Sequence, residues 1–155
     1  MAYYFLIKIM NIIKKILVRF GFFFFLGVSQ VAFSSNYPWS QSEQCASWEI
    51  NYNKAIDFSK KIQLAIREDD KDFLADVISY PLTIYKKANG KIINYHIENK
   101  KDFIASYRKI MTKDFKIKVL KYNPSDVFCN YHGGSFSGGG IWFQGDPLRI
   151  FEINK

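Results

Sequence analysis

Asn89-Gly90 is the position that most restricts what this chain can fold into. The pair stands between two runs rich in β-branched and aromatic residues, Leu82 to Lys87 and Lys91 to Ile97. Both of its residues tolerate the positive φ that a two-residue hairpin turn demands. Two strands are therefore expected to pair antiparallel in the middle of the chain. The segments around them carry a helical period. From about Tyr52 to Arg67, Ala55, Phe58, Ile62, Ala65 and Ile66 fall on one face, with Lys54, Lys60 and Lys61 outward. Asp69 or Asp70 is expected to cap a second, shorter helix with Phe73, Leu74, Val77 and Ile78 as its stripe. Pro81 ends it by excluding Tyr80 from helical dihedrals. Asn99, with Asp102 three residues on, resembles a capping box opening a third helix that carries Phe103, Ile104, Tyr107, Ile110 and Met111 on one face.

After that helix the period shortens to two. Phe115, Ile117 and Val119 alternate with Lys116 and Lys118, which reads as a half-buried strand. Asp126 to Tyr131 reads as the next strand, Gly133 to Gly140 as a glycine-rich link, and Ile141 to Gln144 as another strand. Asp146-Pro147 then turns into a last strand, Leu148 to Asn154. Helices in the first half and strands in the second give an α+β domain, with three helices on one side of a curved antiparallel sheet.

The first 34 residues are of another kind. Their only charges are Lys8, Lys14, Lys15 and Arg19, and Phe20 to Phe33 is uncharged and mostly apolar. That run is too short for the roughly 20 residues of a spanning helix. Ala32-Phe33-Ser34 supplies small residues at −3 and −1 of a signal-peptidase cut. Residues 1–34 are thus expected to be a signal peptide that delivers the rest to the periplasm or outside the cell, with no stable membrane span after cleavage. Either Met1 or Met10 serves as the start. Residues 35–50 are expected to be an irregular lead-in and 51–155 a single domain.

The charge balance excludes one class of partner. The whole chain is +8, but four of its 22 basic residues and none of its 14 acidic ones lie in the leader, so the remainder stands at +4. This is an ordinary solubility charge, not the footprint of a nucleic-acid binder. The lysine pairs at 60–61, 86–87 and 100–101 read as solvated faces. Cys45 and Cys129 are the only cysteines, and an even pair in an oxidising compartment is expected to cross-link. Two cysteines and two histidines without ligand spacing indicate no metal site, and no cofactor motif is present. The run GGSFSGGG lacks a following Gly-Lys-Ser/Thr and leads into a strand, so its glycines serve a wide turn and not a phosphate.

The run of Tyr80-Pro81-Leu82, the hairpin, the helix bearing Phe103 and Tyr107, Phe128-x-Asn130-x-x-Gly133, Gly140-Ile141-Trp142-Phe143 and Ile153-Asn154 resembles small exported bacterial proteins of the nuclear-transport-factor-2-like (NTF2-like, cystatin-like cone) superfamily. It covers most of residues 50–155, and the exported subgroup concerned has no assigned activity. The resemblance implies a sheet wrapped round helices with a pocket at the open end. It leaves the chemistry open, because the superfamily holds isomerases, dehydratases, binding modules and immunity proteins.

Two functional readings follow. In the first the chain is a non-enzymatic exported binding or inhibitor module, of immunity type, that engages a protein partner in the envelope. Tyr131, His132, Phe136 and Trp142, around the glycine-rich turn, form its contact surface. In the second it is a small-ligand or isomerase-like pocket protein, with Tyr95, Tyr107 and Glu152 as cavity liners. Glu152 is expected to face the same way as Ile150, opposite to Phe151 and Ile153. Asp72 and Asp76, four apart on a short helix, are expected to point to water. No catalytic set converges, so the first reading leads.

Overall fold

The structure, a computed structural model, describes residues 40–155. The expected signal peptide, residues 1–34, and the first part of the expected lead-in lie outside the described residues. Those described belong to one compact unit, Tyr37–Lys155. They hold five helices and a six-stranded, curved, mixed sheet, an α+β arrangement compatible with a cone.

The lead-in is not irregular throughout. It carries helix α1, Gln41–Ala46, opened by Ser40, whose side chain accepts from the Glu43 N–H while Glu43 returns a bond to the Ser40 N–H at 2.7 Å. Cys45 is buried on this helix and bonded to Cys129, with Cα atoms 4.9 Å apart. Helix α2, Tyr52–Glu68, is capped by Asn51 and ends at Asp69 in the left-handed conformation. Helix α3, Lys71–Asp76, starts from Asp70, which accepts from the Phe73 N–H at 3.0 Å. It stops well before Pro81. Val77 closes it and Ile78 already opens strand β1, Ile78–Ala88. Tyr80 and Pro81 lie in the stretch of β1 that precedes its register with β2, Lys91–Ile97, which begins at Leu82. A missing N–H is tolerated there.

Helix α4, Lys100–Ile110, follows the expected Asn99 cap, with the Asp102 N–H on Asn99 at 3.0 Å. The next segment corrects the sequence expectation: 115–119 is not a strand but the centre of helix α5, Lys113–Lys121. Phe115 and Val119 are buried, and their spacing of four satisfies a period of two and a period of 3.6 alike. Ile117, which a strand would bury, is 53% exposed. The Thr112 cap, Asp114 in the first turn and Lys118 and Lys121 in the last favour the helix. Buried Gln63 of α2 donates to the carbonyls of Val119 and Tyr122 at 2.8 Å, tying the two helices together.

The second half completes the sheet with β3 (Phe128–Asn130), β4 (Gly133–Phe136), β5 (Ile141–Gln144) and β6 (Arg149–Asn154), in the order β2-β1-β6-β5-β4-β3. The expected glycine link is thus half strand. Gly134 fits in it because a Cβ there would stand 2.4 Å from the Phe143 ring on the neighbouring strand. The sheet is also not wholly antiparallel. β6 runs parallel to β1, with Ile84 opposite Ile153 and Ile78 opposite Ile150, while all other neighbours are antiparallel. One sheet face, with Leu82, Ile84, Phe136, Ile141, Phe143, Ile150 and Ile153, is buried and forms the core with the helix stripes, for example Phe143 edge-on to Phe58 at 5.4 Å.

Candidate functional site

β6 contains an irregularity that decides where its polar residues point. Ile150 pairs with Phe143 and Glu152 pairs with Trp142, so one extra residue, Phe151, sits on β6 between them. Ile150 and Ile153 therefore both face the core. Glu152 faces the other way, not with Ile150 as strict alternation required. It shares its face with Trp142, Thr83 and Ser135.

On that face Glu152 is nearly buried, at 9% exposure, and fully engaged. His132 Nε2 lies 3.1 Å from one carboxylate oxygen, and Asn154 Nδ2 donates to the other at 2.9 Å while also bonding the Gly139 carbonyl. The His132 ring is set edge-on to Trp142 (4.8 Å) and Phe151 (5.2 Å), and its backbone N–H is held by the Asn130 side chain at 2.8 Å. This group orients the His132 imidazole at the sheet edge and engages both oxygens of Glu152.

Of the four expected contact residues, three meet there. Tyr131 is 83% exposed in the β3–β4 turn, followed by His132, which packs on Trp142. Phe136 does not join them. It is 1% exposed in β4 and belongs to the core, because the turn begins only after it. Two residues the sequence reading passed over complete the edge. Trp48, 45% exposed, meets Tyr131 edge-on at 6.4 Å, and Glu49 follows it. Both stand just after Cys45, and Tyr131 stands two residues after Cys129, so the expected disulfide was itself the signal that brings them together. Between them lies a cleft of about 280 Å³ whose walls include Trp48, Glu49, Tyr131, His132, Gln144 and Asp146. Asp146 is held at 3.1 Å by Lys54. Exposed Phe128 lies on β3, the three-residue strand that leads into this turn.

The three expected cavity liners lie on separate elements, Tyr95 on β2, Tyr107 on α4 and Glu152 on β6. Tyr107 donates its hydroxyl to Asp69 at 3.0 Å, under the Lys116 ammonium, which pairs with Asp69 and sits 5.0 Å from the Tyr107 ring centroid. Burial, then the bond to Asp69, push the Tyr107 hydroxyl up. The Lys116 bond, then the Tyr107 bond, hold the Asp69 carboxyl below the usual carboxylate range. Tyr95 lies partly buried in β2, which raises its hydroxyl. Glu152 borders a cleft of about 550 Å³, with Tyr85, Ile92, Asn154 and several lysines. Asp76 is exposed and paired with Lys100 at 2.5 Å.

Among the described residues no three His, Cys, Asp or Glu side chains gather as a metal site, and no helix is long and apolar enough to cross a membrane. No family model, characterised protein or solved structure matches the chain.

Proposed function

We propose that this chain is an exported, non-enzymatic module of NTF2-like cone type that binds a protein partner in the envelope and inhibits it, as an immunity protein does. The observation that carries the reading is the aromatic edge. Tyr131 and Trp48 are large, exposed and mutually packed, and the Cys45–Cys129 bond anchors the segments that bear them. Rigid aromatics beside an adaptable turn supply contact area at small entropic cost, as binding hot spots do. Glu49, which lines the same cleft as the two rings, suits a basic side chain of the partner, taken up by charge and by cation–π attraction to the aromatics. An extracellular address agrees with the disulfide.

The test is capture of a stoichiometric complex from envelope extract on the disulfide-intact protein. Trp48→Ala/Tyr131→Ala is expected to abolish the complex without changing the melting temperature by more than about 2 °C, since surface truncations are normally near neutral. A complex that survives the double substitution would refute the assignment of this edge.

A further inference from the structure

On the far side of the sheet edge from Tyr131, a different chemistry is assembled. The 550 Å³ cleft and an adjoining one of about 450 Å³ share Lys86, Lys87, Lys118 and Lys155, and the second adds Lys109. These lysines come from β1, α4, α5 and the residue following β6, so the fold and not the local sequence brings them together. Among the described residues none of them forms an ion pair with an Asp or Glu side chain; the lysine ion pairs there use Lys54, Lys60, Lys100 and Lys116. Two carboxylate side chains border the clefts. Glu152 is already bonded on both oxygens, and Asp114 faces only the smaller one. Lys155 is further constrained, its ammonium bonded to the carbonyls of Lys109 and Ile110 at the end of α4. Burial and then the neighbouring Lys86 charge push its ammonium down.

The walls between these charges are mostly apolar. The Tyr85 ring, the lysine stems and Ile92, which is 75% exposed, line the larger cleft. Its volume is that of a drug-sized ligand site. We infer that this cleft binds a small amphiphilic organic anion, an aromatic or aliphatic body carrying a carboxylate or phosphate head. The body covers Tyr85 and Ile92, and the head neutralises the unpaired lysines. It shares no lining residue with the Trp48–Tyr131 cleft, although Glu152 on its wall bonds His132 on the other, and the lysine and Tyr131 substitutions test the two proposals separately.

The experiment is titration of the purified, disulfide-intact protein by calorimetry with 2-naphthyl phosphate and 2-naphthoate, against 2-naphthol and inorganic phosphate. Both naphthyl anions are expected to bind, more weakly as salt rises. The neutral naphthol and bare phosphate should each bind at least about tenfold more weakly, a difference of about 1.4 kcal/mol. Lys87→Gln/Lys118→Gln should weaken both naphthyl anions by a similar factor without lowering the melting temperature, whereas Lys60→Gln/Lys61→Gln on α2 should change nothing. Equal binding of naphthol would reduce the site to an apolar groove, and equal binding of phosphate to a charged surface. Either result, no binding, or equal loss in the α2 variant would overturn the inference.

Discussion

Replacing both cysteines by alanine tests the tie that holds the aromatic edge. The bond spans a sequence separation of 84. On the chain-entropy relation, closing such a loop lowers the entropy of the unfolded ensemble by about 15 cal/mol/K, or roughly 4.5 kcal/mol at 25 °C. For a domain of this size each kcal/mol corresponds to about 4 °C, so the melting temperature should fall by roughly 18 °C. The loss should not be purely global. Helix α1 has six residues, far too few to persist unaided, and without the bond it is held to β3 only by packing. The assay is urea unfolding of Cys45→Ala/Cys129→Ala beside the parent. The midpoint should drop and the m-value rise, because the uncrosslinked unfolded chain exposes more surface. A loss below about 1 kcal/mol with an unchanged m-value would refute the reasoning, since the bond would then constrain nothing that the unfolded chain explores.

Two further outcomes are expected. Gly134→Ala should cost about 1–3 kcal/mol, because its Cβ meets a Phe143 ring wedged against Phe58 and Phe136, and the cost should largely vanish in a Phe143→Ala background; a thermodynamic double-mutant cycle by urea unfolding decides it. Asp69 and Tyr107 should shape opposite ends of the pH–stability profile. The lowered Asp69 carboxyl contributes stability above the ordinary aspartate pKa that is lost as pH falls through its folded value, and Asp69→Asn should flatten that acid limb. The raised Tyr107 hydroxyl contributes stability that is complete below about pH 10 and is lost as pH rises beyond it, and Tyr107→Phe should flatten the alkaline limb. Thermal melts across pH that leave either limb unchanged would contradict the corresponding assignment.

Features set by local chemistry were legible in the sequence. The Asn89-Gly90 hairpin, the Asn99 and Asp70 caps, the long α2 stripe and the Cys45–Cys129 bond depend on near neighbours or on a single pair. Where two periods coincide, as at Phe115 and Val119, the pattern could not separate strand from helix, and the Thr112 cap was the cue that decided it. Strand direction leaves no trace in a burial period, so the parallel β1–β6 pair was beyond reach. The extra residue Phe151 likewise turned Glu152 to the opposite face without any local mark. The aromatic edge was half legible: Tyr131, His132 and Trp142 were named, Trp48 was reachable through the disulfide, and Phe136 proved to be core. The lysine cleft was hidden because its members come from four separate places in the chain and meet only in the fold.

Site-specific photo-crosslinking in cells exporting the full chain tests the partner-binding claim most directly. A benzophenone side chain at position 131, beside Trp48, should yield one discrete heavier adduct, and the same group at position 61 on the outer side of α2 should yield none. No adduct from position 131, or the same set of adducts from both positions, would contradict the account.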